Sequence, residues 1–311
     1  MNYPIFFDSK NTISLFGLKE NLNFLSNLHN IKKLPKVLMI SGNKGSGKST
    51  LVNHLLFTIF DKLNYDFKNH KIIDNSDFIN QFKTNTFPNI VYLKGADFKS
   101  IKIEDIRNLK NKIFQTTIIN KNRFIIADDV ELFNINSLNA LLKIIEEPTE
   151  NNYFILINNK SKQVLETIKS RTLEIKIILN EKQRIDIITN LVEFYRLNPV
   201  LNAKRSKLSP GNYLKFDFIL QEYKIPLDGN FVDNLSLLLN LYKKNKDILF
   251  VYLAFFLSDN HFQNLKNQNI ISNEKIYNYK NFISNNLNNF LLYNINQNTL
   301  INSIDNKLKY E

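Results

Sequence analysis

The sequence predicts an α/β fold whose first part holds a five-stranded parallel sheet and whose remainder is helical. Three observations carry that expectation. Five short apolar runs rich in β-branched residues, Val37 to Ser41, Ile90 to Leu93, Phe124 to Asp128, Tyr153 to Ile157 and Leu173 to Ile178, alternate with stretches of helical periodicity. This is the spacing of βαβ units around a sheet buried on both faces. A glycine-rich segment joins the first run to an apolar helix, and beyond residue 179 the strand signal fades into helical periodicity.

Taken in order, the first helix after a strand spans Ser49 to Phe60, and another is expected over Ile103 to Phe114. A third, from about Asn136 to Glu147, presents Leu138, Leu141, Leu142 and Ile145 on one face. Pro148 stops it, because a proline inside the helix would lose a hydrogen bond and clash with the preceding turn. Asn180 and Gln183 have the spacing of a capping box, opening a helix with Ile185, Ile188, Val192 and Tyr195 along one side. Ser209-Pro210-Gly211 and Pro226 to Gly229 are breaks, and Ile248, Tyr252, Phe255 and Phe256, then Ile301, Ile304 and Leu308, mark later amphipathic helices. The expected division is an α/β domain over 1–179, a small helical lid over 180–228 and an all-α C-terminal domain over 229–311.

Composition is that of a globular chain, 43% hydrophobic and 23% charged. The absence of cysteine removes disulfides, thiol catalysis and cysteine-ligated zinc. His29, His54, His70 and His261 show no ligand spacing, so a metal is expected to be oxygen-bound. The start reads as no signal peptide. The longest apolar run, Ile248 to Leu257, is half of the roughly 20 residues a bilayer requires, so a soluble, cytoplasmic protein without a membrane partner is expected. A net charge of +12 favours polyanions such as nucleic acid. Lysine is spread through the chain, however, and Lys32-Lys33, Lys204-Arg205-Lys207 and Lys243-Lys244 read equally well as solvated faces.

The chemistry begins at Gly42-Asn43-Lys44-Gly45-Ser46-Gly47-Lys48-Ser49, with Thr50 next, which fits G-x-x-x-x-G-K-S/T between an apolar strand and an apolar helix. Glycines let such a loop aim its N–H groups at a β-phosphate, aided by the helix dipole. Lys48 is expected to reach the β- and γ-phosphates of ATP and Ser49 to ligate Mg²⁺. Phe124 to Asp129 has the form of a Walker B strand, with Asp128 on the Mg²⁺ side. Asp129 stands where a general base would act, one methylene shorter than a glutamate, so binding is the safer expectation than hydrolysis. Paired acids at a strand end also cap a following helix, and that reading stays open.

From Arg123 the chain reads RFIIADDVELFNINSLNALLKIIEEPTENNYFILINNKSKQVLETIKSRTLEI, which resembles the bacterial clamp-loader family of AAA+ proteins. Asn139 to Pro148 resembles that family's NALLK-x-LEEP helix, and Ser170-Arg171-Thr172 its Ser-Arg-Cys motif with the last residue changed. Leu15-Phe16-Gly17 and Leu34-Pro35 also stand where the family has related residues, and the resemblance covers roughly residues 13–215 well. It implies an AAA+ P-loop domain, a helical lid and a collar that joins the subunits. It implies too that Arg171 is an arginine finger offered in trans to a neighbour's ATP, where it stabilises charge developing on the γ-phosphoryl group. Asn158, with Asn159 as the rival, resembles sensor 1, and two adjacent asparagines also suit an ordinary turn.

The departures decide between branches of the family. The cysteine-free stretch from about Asp61 to Pro88 excludes the zinc module many relatives carry there. Asn212 falls where relatives have the sensor 2 arginine, Asp129 replaces the Walker B glutamate, and the chain ends near residue 311 without the long extension of tau. The resemblance therefore points to the delta prime branch: a ring member that binds ATP, donates Arg171 to a tau/gamma motor, and joins delta in a hetero-pentamer loading the sliding clamp onto primer-template DNA. A short gamma-like motor, a helicase loader or other DNA-remodelling AAA+ protein, and a small-molecule P-loop kinase are the competing readings.

Overall fold

The computed structural model describes residues 3–73, 76–95, 122–268 and 270–309. The helix expected over Ile103 to Phe114 lies outside the described residues. Among the described residues there are seven strands: β1 (Val37–Gly42), β2 (Tyr65–Asp66), β3 (Lys71–Ile72), β4 (Ile90–Lys94), β5 (Arg123–Asp128), β6 (Asn152–Asn158) and β7 (Leu173–Ile177). Five of them form one sheet in the order β4-β5-β6-β1-β7, every pairing parallel. The strands at its centre read as unbroken apolar runs because helices cover both faces. On one face Leu38, Ile40, Phe124, Ile126, Ile155 and Ile157 pack with Leu51, Leu55 and Leu56. On the other, Met39, Ile125, Ala127, Phe154 and Leu156 pack with Leu138, Leu141 and Ile145. The alternation follows from the two-residue repeat of a strand. All carboxyl ends in a parallel sheet lie on one edge, where loops gather a site.

The helices that flank this sheet are α1 (Lys19–Asn30), α2 (Lys48–Phe60), α3 (Asp77–Lys83), α4 (Ile135–Ile145), α5 (Glu166–Lys169) and α6 (Glu181–Phe194). Asn134 accepts from the Ser137 N–H at the start of α4, and α4 ends at Ile145 with Glu146 as its cap, two residues before Pro148. The Asn180–Gln183 capping box opens α6 as its spacing requires. The face that α6 buries is turned from the expected one: Arg184, Ile187 and Ile188 are buried, while Ile185 is only half-buried. The cause is Gly17, whose left-handed backbone (φ +71) lets Ile187 lie against it; a Cβ there would stand 2.2 Å from Ile187 Cδ1. In the cysteine-free stretch, β2 and β3 form an antiparallel ribbon, and Phe57, Phe60, Phe78, Phe82 and Phe87 make edge-on contacts at 4.8 to 5.2 Å between ring centres.

The chain forms two compact units, one of Asn2–Leu197 with Lys207–Asn212 and the other of Asn198–Ser206 with Tyr213–Glu311. The second is helical: α7 (Ala203–Ser206), the body of α8 (Pro210–Glu222), α9 (Phe231–Asn245), α10 (Leu249–Asn267), α11 (Asn273–Tyr293) and α12 (Gln297–Lys309). Pro210 is the first residue of α8, where its missing N–H costs nothing. The buried side of α10 holds Phe250, Val251, Leu253, Ala254, Phe256 and Leu257, so Tyr252, expected on the apolar face, is exposed instead. Gln297 ties the start of α12 to α9 through Ser236 O at 3.1 Å and Asn240 Oδ1 at 3.0 Å. Among the described residues no helix is long and apolar enough to cross a membrane.

Candidate nucleotide site

The glycine loop leaves the buried strand β1 and enters α2, whose residues Leu51, Val52, Leu55 and Leu56 are fully buried. Its backbone follows from its glycines: Gly45 and Gly47 take φ of +81 and +89, a region costly for residues with a Cβ. Gly47 is the residue before α2, so Lys48 and Ser49 form its first turn, with Thr50 half-buried behind them. The Lys48 amine donates to the carbonyls of Gly42 at 2.7 Å and Asn43 at 2.8 Å, and Ser46 Oγ lies 3.5 Å away. Burial lowers its pKa from 10.5 to about 8, and the carboxylates of Asp128, Glu131 and Asp129 oppose that shift.

Strand β5 delivers its acids to the same edge. Asp128 Oδ2 accepts from Ser49 Oγ at 3.0 Å, a contact across 79 residues that joins the two halves of the motif. Burial, and then the neighbouring Asp129, raise Asp128 to about 6, against the hydrogen bond from Ser49. Asp129 adopts a left-handed backbone (φ 54, ψ 43) and starts a short 3-10 turn over Val130–Leu132. Its Oδ1 accepts from Asn159 Nδ2 at 2.5 Å.

The two adjacent asparagines thus have different partners. Asn158 is the register partner of Ser41, turns its amide towards Met39 and accepts from the Lys160 N–H at 2.8 Å. Asn159, the rival assignment, is the one in contact with Asp129. Glu131, which the sequence reading passed over, is 5% exposed and accepts from the Asn159 N–H at 3.1 Å and the Ser161 hydroxyl at 2.9 Å. Nothing in the apolar pattern around Glu131 marks it, because its partners lie on another strand end.

Ser209 to Asn212 lie over the loop. Ser209 Oγ donates to Lys44 O at 2.6 Å and the Gly211 N–H to Gly45 O at 2.8 Å. A Cβ on Gly45 would come within 2.8 Å of the Asn212 nitrogen, so glycine is required there for close approach as well as for its φ. Asn212, at the position resembling sensor 2, therefore stands beside the loop without a charge. A cavity of about 540 Å³ opens at the ends of β6, β1 and β7, lined by Gly42, Asn43, Ser46, Lys160, Ile177 to Leu179, Glu181, Arg184, Lys207 and Ser209.

Arg171 follows α5. Its guanidinium is partly exposed, donates to Thr167 O at 3.0 Å and lies 2.9 Å from Glu146 Oε1. The two family-like motifs, the helix ending Glu146-Glu147-Pro148 and Ser170-Arg171-Thr172, thus meet through an ion pair.

Sheet order, glycine loop and paired acids define the class: a P-loop α/β protein of the AAA+ type. The family described as "DNA polymerase III, delta subunit" matches residues 17–181, and the chain belongs to that family. It is similar to the DNA polymerase III subunit delta' of Buchnera aphidicola subsp. Schizaphis graminum, 26% identical over 282 residues, covering 85% of this chain and 82% of that protein. It is 28% identical over 152 residues to the delta' subunit of Buchnera aphidicola subsp. Baizongia pistaciae, covering 46% of this chain and 44% of the relative. Against the gamma subunit from subsp. Schizaphis graminum it is 24% identical over 181 residues, 58% and 48% of the two chains. The chain thus spans less than half the length of these last two relatives. Among solved structures, a gamma subunit-related protein of Thermotoga maritima aligns over 90% of this chain and 96% of its own, with 15% identity and a TM-score of 0.47.

Proposed function

We propose that this chain is a delta prime type subunit of the DNA polymerase III clamp loader, which binds ATP and supplies Arg171 to a motor neighbour. The observation that carries this reading is the contrast between an intact phosphate loop and a weak base position. Lys48, Ser49 and Asp128 stand together, whereas Asp129 is short by a methylene and already holds Asn159. Such a site binds well and turns over poorly.

The residues present fit a nucleoside triphosphate with one hard cation. The left-handed glycines open the loop's N–H groups, and the buried Lys48 amine supplies a charge. Ser49 Oγ and Asp128 are oxygen ligands of the kind Mg²⁺ takes. Bound there, Mg²⁺-ATP supplies the negative charge that the loop and Lys48 neutralise. Asn159, rather than Asn158, is the polar side chain turned to the acid side and serves as sensor 1. Residues 1–179 and 180–228 act as nucleotide domain and lid, and 229–311 as the collar that joins tau/gamma and delta in a pentamer acting on clamp and primer-template DNA.

Arg171 suits delivery in trans because Glu146 and Thr167 O fix a guanidinium that remains partly exposed. The test is the DNA- and clamp-stimulated ATPase of motor and delta subunits with this protein added. Wild type raises the rate, and Arg171→Ala joins the complex but lowers that rate by 10³-fold or more, the usual order for an arginine finger. A mutant that stimulates as well as wild type refutes the role. A gamma-like motor is the second reading, favoured by the complete phosphate loop, and it predicts ATP turnover by this chain alone.

A further inference from the structure

The loop after β6 carries a cation that neither the motif nor the comparisons assign. Lys160 has a left-handed backbone (φ +58), and the residues around it are held on both sides. Its own N–H is bonded to Asn158 Oδ1, and the buried Glu131 carboxylate holds both the Asn159 N–H and the Ser161 hydroxyl. A buried acid that anchors both neighbours of one lysine fixes the backbone from which that lysine projects. Lys160 lines the 540 Å³ cavity together with Gly42 and Asn43, the residues whose carbonyls receive the Lys48 amine. Lys160 thus lines the cavity beside the residues that hold the Lys48 amine, and its charge weighs against that of Lys48. Such a pair is unfavourable alone and is relieved by a polyanion between them. On the lid side the residue beside the loop, Asn212, offers no charge. Two lid cations also line the cavity, Lys207 and Arg184, whose guanidinium donates to Leu208 O at 3.2 Å.

We propose that Lys160 is a second phosphate-binding residue, acting in cis at the γ-phosphate end of the site, where the Asn212 position offers no charge. This rests on the nucleotide reading above and deepens it: Lys48 serves both ATP and ADP, while Lys160 distinguishes them. An ammonium acts as a point charge and tolerates lysine-to-arginine exchange when the contact is a single one.

The experiment is calorimetric titration of Mg²⁺-ATP and Mg²⁺-ADP into the full chain as wild type, Lys160→Gln and Lys160→Arg, with thermal unfolding of each ligand-free protein. One lost charge-assisted contact predicts roughly a tenfold weaker ATP affinity in Lys160→Gln, with ADP within about twofold of wild type and an unchanged melting midpoint. Lys160→Arg keeps the preference for ATP. If Lys160→Gln weakens ATP and ADP equally, or leaves the ratio of their affinities as in wild type, Lys160 is no γ-phosphate contact and the proposal falls. Wild type that binds neither nucleotide overturns the nucleotide reading itself, and this proposal with it, an outcome visible before any variant is compared.

Discussion

Replacing Lys48 by methionine is expected to stabilise the nucleotide-free protein while abolishing its nucleotide affinity. Lys48 is 2% exposed, and its pKa falls from 10.5 to about 8 on burial, so at pH 7 the folded chain carries its charge at a cost of about 3 kcal/mol. Methionine has a similar length and no charge. It leaves the carbonyls of Gly42 and Asn43 without the amine, at about 1 kcal/mol each. The variant should thus be more stable by about 1 kcal/mol at pH 7.

The pH dependence is the sharper signature. A lysine with a depressed folded pKa is protonated in the unfolded chain and neutral in the folded one between about 8 and 10.5. Within that window the unfolded state binds more protons, so wild type gains about 1.4 kcal/mol per pH unit from this group, and the variant gains nothing from it. The difference between them should shift by 2 to 3 kcal/mol from pH 7 to 10, roughly that slope times the window, and reverse sign. The assay is urea unfolding followed by circular dichroism on both proteins, without nucleotide, across that range. A difference that stays flat with pH, or a variant several kcal/mol less stable at pH 7, refutes the reasoning.

Two further outcomes follow from single contacts. Gly17→Ala places a methyl 2.2 Å from Ile187 Cδ1 at φ +71, and the left-handed backbone with the displaced isoleucine should cost about 3 kcal/mol. Thermal unfolding should register that as a fall of roughly 10 °C, and an unchanged midpoint would remove Gly17 as the reason for the turned face of α6. Asp128, raised to about 6, favours its neutral form when folded; that contribution is complete below 3.8 and gone once pH passes about 6. Only the ionised form suits Mg²⁺, so the Mg²⁺-dependent part of nucleotide affinity should fade as pH falls through 6. Titrations with and without Mg²⁺ at pH 5 and pH 8 check it, and an equal Mg²⁺ increment at both speaks against Asp128 as the ligand.

Much of the α/β frame was legible because its signals are local. A strand buried on both faces must be apolar throughout, and β1, β4, β5, β6 and β7 begin and end within a residue of the expected runs. Pro148 and the Asn180–Gln183 pair act on their own helix ends, so α4 and α6 start or stop where the residues say. Faces were less legible. Helical periodicity left the choice between Ile185 and Ile187 to the partner, and the partner is Gly17, 170 residues earlier. Tyr252 is exposed for a similar reason: α10 buries a broad side, and its apolar residues outnumber the positions its neighbours cover.

By itself, then, the sequence determined the parallel sheet, the phosphate loop with its left-handed glycines and the acid-ended strand, since each depends on residues a few positions apart and on backbone geometry common to all chains. Only the tertiary structure decided which asparagine meets Asp129, that Glu131 anchors the loop carrying Lys160, and that Glu146 holds Arg171. Those contacts join residues 25 to 30 positions apart on different strand and helix ends. Their existence depends on the order in which strands lie side by side, and no local pattern of residue types encodes that order.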